Sequence, residues 1–293
     1  MKKEDKSPKV KKVKPTRKLN HAPLVEVVFE LRWDLLQKPN SSENDPFSFY
    51  DPGFGLLDYK FSKEISKKGY KIKRPMSEIV GSNFISFPRM IDSRFFKIAD
   101  SAFPIMQIGP GIFATNSEGT EYDWDAFKKQ VLDGIQIIDD SYPKELCFKP
   151  NYLELRYVNF FDPAFLSDKK NTTLSLFINN ETNGTLSIIG DDFSELVDNS
   201  PSGLMQLEYK IKNIKDTTLS IQIADAEKTG KKDASTKSVK LEIKIFTKYP
   251  DGIPMKKGGT LEEYVKTWSE QVREVVSPLF QQLLKKNLYD KLR

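Results

Sequence analysis

The chain has 293 residues, 38% of them hydrophobic, with 20 Phe and 11 Tyr, enough to bury one large core or two small ones. Its formal charge of +5 belongs to one end: of 46 Lys/Arg and 41 Asp/Glu, residues 1–18 hold nine and two, leaving 37 against 39 elsewhere. A lone Cys147 excludes an intramolecular disulfide and a multi-cysteine metal site, and the single His21, at the border of the basic tail before Ala22-Pro23, leaves a His-based triad or a multi-histidine metal site almost excluded.

The Lys/Pro-rich segment "MKKEDKSPKVKKVKPTRK" has almost nothing to bury, so residues 1–18 are expected to be a disordered basic tail. It lacks the apolar stretch of a secretory signal, and no later run reaches the length of a membrane span. The expectation is a cytoplasmic protein without membrane contact.

"PLVEVVFELRW" then alternates as a strand. Val25, Val27, Phe29, Leu31 and Trp33 share one face; Leu24, Glu26, Val28, Glu30 and Arg32 share the other, a mixture that indicates partial cover. A loop rich in Asn, Ser, Asp and Pro follows, with a short helix near Leu56–Lys68. "NFISFPRMID", "RFFKIAD" and "IMQIGPGIFATN" read as strands punctuated by Asp, Pro and Gly. A helix is expected from Asp123 as N-cap, with Trp124, Phe127, Val131 and Ile135 at helical spacing.

A second strand, "YLELRYV", opens the other half of the chain. After it come "TLSLFI", "TLSIIG", "LMQLEYKIKN", "TLSIQIAD" and "SVKLEIKIF", alternating strands joined as hairpins or meanders. The last element is a long helix. Thr260 and Glu263 form a capping box, Leu261, Val265, Trp268, Val272 and Val276 lie on one stripe, and Pro278 is expected to kink it near Ser277.

"FELRW" (29–33) and "LELRY" (153–157) are near copies, and each precedes antiparallel-type strands and a Trp-bearing amphipathic helix. The reading is an α+β fold built from two related halves, 19–145 and 146–293, a pseudo-duplication forming one compact unit. Each half contributes a long helix packed on antiparallel sheet. If the two ELR strands are antiparallel neighbours, a single register sets Glu30 against Arg156 and Arg32 against Glu154. Glu30, Arg32, Glu154 and Arg156 are thus the candidate ligand- or partner-binding residues. The plainer alternative is a structural charge ladder.

Catalytic signatures are sparse. A metal-dependent nuclease would use a strand Glu-x-Lys, and "LEYK" (Glu208, Lys210) and "LEIK" (Glu242, Lys244) supply that spacing. Both lie in cleanly alternating strands, the ordinary pattern of a half-solvated sheet, with no distinctively placed acid upstream. "GPG" at 109–111 is too short for a phosphate loop and lacks its Lys. No catalytic residue, metal site or cofactor is assigned. The basic tail could neutralise nucleic-acid phosphates, although it carries no interleaved aromatics for base stacking.

"HAPLVEVVFELRW", "QIGPGIFATN" before a Trp, "LELRYVNFF" and a final helix with "W…F" resemble, in that order, a sporadically distributed family of uncharacterised bacterial and archaeal proteins. The resemblance spans most of residues 20–285, and its first and third stretches are the specific ones. It implies no activity and no catalytic residues. The patchy occurrence of the family implies mobile accessory modules, of defence or toxin–antitoxin-like type. The Lys-rich tail is not part of that pattern. The expectation is a non-enzymatic binding or regulatory protein with a protein partner; a nuclease and a nucleic-acid binder are the alternatives.

Overall fold

The computed structural model describes residues 23–39, 48–76, 90–97, 102–119, 122–143, 148–161, 204–229 and 235–283, with 99, 145 and 146. The basic tail, most of "NFISFPRMID" and the segments "TLSLFI" and "TLSIIG" lie outside the described residues.

Eleven strands and three helices are seen among the described residues. In chain order they are β1 (Leu24–Trp33), β2 (Leu36–Gln37), β3 (Phe49–Tyr50), α1 (Phe54–Lys67), β4 (Ile72–Pro75), β5 (Ser93–Phe96), β6 (Ile105–Gly109), β7 (Ile112–Glu118) and α2 (Trp124–Ser141). β8 (Pro150–Phe161), β9 (Leu204–Lys210), β10 (Thr217–Thr229), β11 (Ser235–Lys248) and α3 (Leu261–Leu283) complete the chain. Nine strands form one sheet in the order β4-β5-β6-β7-β1-β8-β11-β10-β9, with every pairing antiparallel; β2 and β3 form a separate hairpin. The fold is α+β.

On one side of the central pair the sheet runs from its edge as β4-β5-β6-β7-β1, and on the other as β9-β10-β11-β8, each with a three-strand meander beside the central strand and with β4 an added edge on the first side only. A helix follows each meander in the chain. β1 and β8 meet at the centre as antiparallel neighbours, so one continuous sheet joins the halves.

One face of the sheet carries all three helices. Val27, Phe29, Leu31 and Trp33 lie on that face, fully buried, and their cross-strand partners Phe113, Thr115, Leu153, Leu155 and Tyr157 share it. α1 buries Leu57, Phe61 and Ile65 there, with the Phe61 ring 6.0 Å from that of Phe113. α2 starts on its predicted cap, Asp123 Oδ1 accepting from the Ala126 amide at 2.9 Å, and lays Phe127, Val131 and Ile135 on the sheet. In the capping box of α3, Glu263 N donates to Thr260 Oγ1 at 3.2 Å, and Thr260 N donates to Glu263 Oε2 at 3.3 Å. The helix runs on through Pro278 to Leu283. Its Trp268 sits edge-on to Phe29 at 6.3 Å and donates through Nε1 to Thr247 Oγ1 at 2.9 Å, so the indole brings no unsatisfied donor into the core.

Candidate functional site

The opposite face carries no helix among the described residues. Its side chains are the even-numbered set of β1 and their rung partners, and here the two ELR strands come together. The register differs from the expected one by two residues. Val28 faces Arg156, Glu30 faces Glu154 and Arg32 faces Tyr152. The pairing of Glu30 with Arg156 and of Arg32 with Glu154 is therefore corrected. A two-residue slip keeps every side chain on its face, so the alternation that identified the strands could not discriminate the two registers. Cross-strand charge pairs contribute only roughly 0.2–1 kcal/mol each. That is small beside the apolar face below, where Leu31 packs over Leu153 and Phe29 over Leu155.

The charges are satisfied along each strand instead. Arg32 Nε pairs with Glu30 Oε1, and Arg156 Nε lies 3.4 Å from Glu154 Oε1. Glu30 and Glu154 are only 8% and 5% exposed, whereas the side chains of Arg32 and Arg156 are 34% and 33% exposed. Two carboxylates thus lie side by side within the sheet surface, and two guanidinium groups stand partly in water beside them. The Tyr152 hydroxyl donates to Glu154 Oε2, and the Arg32 guanidinium lies 4.8 Å from the centre of the Tyr152 ring. Tyr152 stacks on Phe246 at 6.1 Å and 27°, and the Lys244 and Lys248 ammonium groups lie 5.3 and 5.7 Å from that ring. Arg156 keeps one unmet demand: its Nε is buried and has no hydrogen-bond partner of good geometry despite the nearby carboxylate.

Burial raises the Glu30 carboxyl above its ordinary range. Arg32 opposes that shift through charge and hydrogen bond, and the Glu154 carboxylate opposite adds to it. Burial, then the Glu154 charge, also raises the Tyr152 phenol, which stays a neutral donor at physiological pH. On the flank, Gln107 Nε2 donates to Asn116 Oδ1 at 2.8 Å, and Asn116 Nδ2 donates to Glu26, a polar ladder across β6, β7 and β1.

In both Glu-x-Lys stretches the carboxylate is engaged by a neighbour on its own strand. Glu242 pairs with Lys240 at 2.8 Å, and its rung neighbours are Val158 and Gln222. Glu208 lies on the edge strand and accepts from Gln206 at 3.1 Å, while Lys210 donates to Thr218 at 2.8 Å. Among the described residues no group of three or more His, Cys, Asp or Glu side chains could hold a metal ion.

Sequence reasoning missed Tyr152, Phe246 and Lys248, which complete the central patch. The signal was present: each alternates in phase with Glu154 or Lys244 on strands already identified. It also missed Asp51, the most fully engaged carboxylate among the described residues. Its Oδ2 accepts from Trp33 Nε1 at 2.8 Å and from the Gly111 amide at 3.1 Å. Its Oδ1 accepts from Tyr142 Oη at 2.7 Å and from the Gly53 amide at 3.0 Å. No local pattern announces those partners.

Comparison with family models, with curated proteins and with solved structures gives no match. No helix among the described residues is long and apolar enough to cross a membrane.

Proposed function

We propose that this chain is a non-enzymatic binding protein that takes a protein partner on the open sheet face, centred on Glu30, Arg32, Tyr152, Glu154 and Arg156. The observation that carries the reading is the pairing of two partly exposed guanidinium groups with two buried carboxylates on a face that carries no helix among the described residues. Arg and Tyr are the residue types that most often dominate binding energy at interfaces. The buried carboxylates fix the guanidinium groups from within the sheet, so little side-chain freedom is lost when a partner carboxylate meets them. A partner encoded beside this chain would agree with the resemblance to mobile accessory modules.

The test is a tagged pull-down from the native host, with protein and nucleic acid both identified. It compares the natural chain with an Arg32→Glu, Arg156→Glu variant of verified thermal stability. The expected outcome is a protein captured by the natural chain and lost from the variant, with nucleic-acid content unchanged. Equal capture by both chains overturns the open-face reading. A loss of nucleic acid alone would redirect it to phosphate contacts.

A further inference from the structure

β9 closes one side of the sheet: it pairs with β10 along one edge, and no described strand pairs with its other edge. We propose that this outer edge joins a second copy of the chain, β9 against β9, antiparallel about a two-fold axis through Tyr209. The proposal goes beyond the open-face reading and does not depend on it.

The backbone decides which residues can pair. Ile211 N donates to Thr217 O at 2.9 Å, and the same register sets Tyr209 against Leu219, Leu207 against Ile221 and Met205 against Ile223. In an antiparallel ladder, residues that bond one neighbour alternate with residues whose N–H and C=O turn the other way. Leu204, Gln206, Glu208 and Lys210 therefore direct their backbone groups outward. β9 holds no proline and pairs with β10 without a bulge, so neither device blunts that edge.

Side chains choose the register. Outward groups must meet outward groups, so even-numbered residues of one copy face even-numbered residues of the other. An axis at Glu208 sets acid against acid, and an axis at Lys210 sets base against base. An axis at Leu207 gives neither charge an opposite. With Tyr209 on the axis, Glu208 of each copy faces Lys210 of the other, two acid–base rungs on the open face. On the helix face of the same pairing Leu207 meets Ile211, and Tyr209, 51% exposed in the single chain, meets its own counterpart. Glu208 and Lys210 are exposed and carry no ion pair among the described residues; their contacts are to the neutral Gln206 and Thr218. A lysine alone on an edge strand repels a second copy, a common guard against such pairing. Glu208, two residues earlier on the same face, turns that repulsion into attraction.

The experiment follows the full chain by sedimentation equilibrium over a range of concentrations, with Glu208→Lys, Lys210→Glu and the variant carrying both. The natural chain is expected to show a reversible monomer–dimer equilibrium, weak because one strand pair makes a small interface. Each single substitution sets like charges opposite on both rungs and is expected to weaken dimerisation by about tenfold or more. The double variant puts acid against base again, and is expected to return to within about a factor of three of the natural chain. An equimolar mixture of the two single variants is expected to associate for the same reason. Monomer at every concentration up to the solubility limit overturns the proposal. So does a dimer unmoved by the single substitutions, or a loss that neither the double variant nor the mixture repairs.

Discussion

At Glu30 the balance of burial and charge has a measurable sign. Desolvation raises its carboxyl above the ordinary glutamate range, although Arg32 pulls the other way. The folded state therefore holds the proton more tightly than the unfolded state. This group's contribution is most favourable below the unfolded value and is lost as pH rises through the folded one. Glu30→Gln removes that dependence. Urea unfolding of both chains from pH 4 to 8 is expected to show the variant's stability rising relative to the natural chain through the window just above the ordinary glutamate range. The difference should level off beyond it. A difference that stays constant with pH would contradict the assignment. Acid can face acid on this rung because each carboxylate has its own strand's arginine beside it.

Among the elements, α2 shows how close packing overrides propensity. Gly134 lies mid-helix, where alanine would ordinarily be favoured by roughly 1 kcal/mol. A Cβ there would collide with the Phe113 ring, which is fully buried and held by Phe29 at 6.4 Å and Phe61 at 6.0 Å. Gly134→Ala is expected to destabilise by about 1–3 kcal/mol. Gly55→Ala in α1, where a Cβ meets nothing within 4 Å, is expected to stabilise by about 0.5–1 kcal/mol. Denaturant midpoints of the two variants should move in opposite directions, and a shift of the same sign would refute the packing argument. Elements of this kind were legible in the sequence wherever period and cap agreed: α2 from Asp123, α3 from Thr260, and β1, β8, β10 and β11 from their alternation. The register at Glu30 and Glu154 was not legible, because period-two patterns are unchanged by a shift of two residues.

For the whole molecule, the two ELR strands that stand out in the sequence, β1 and β8, are neighbours at the centre of the sheet, with the four candidate charges on one face. The sequence was silent on cavities and on long-range hydrogen bonds, which depend on where distant segments end after folding. Asp51 needs partners up to 91 positions away.

That last feature has a kinetic consequence. Local helices and hairpins can form early, whereas the bonds from Asp51 to Trp33, Gly111 and Tyr142 span 18, 60 and 91 positions and close only when β1, the β6–β7 turn and the end of α2 have converged. Interactions formed after the folding barrier act on the rate of unfolding rather than on the rate of folding. Asp51→Ala is therefore expected to speed unfolding by about tenfold or more while leaving refolding within roughly a factor of two, as read from the two limbs of a chevron. Slowed refolding with unchanged unfolding would place Asp51 in the nucleus instead. In this view one carboxylate works as a latch on the lifetime of the native state, closed last and opened first.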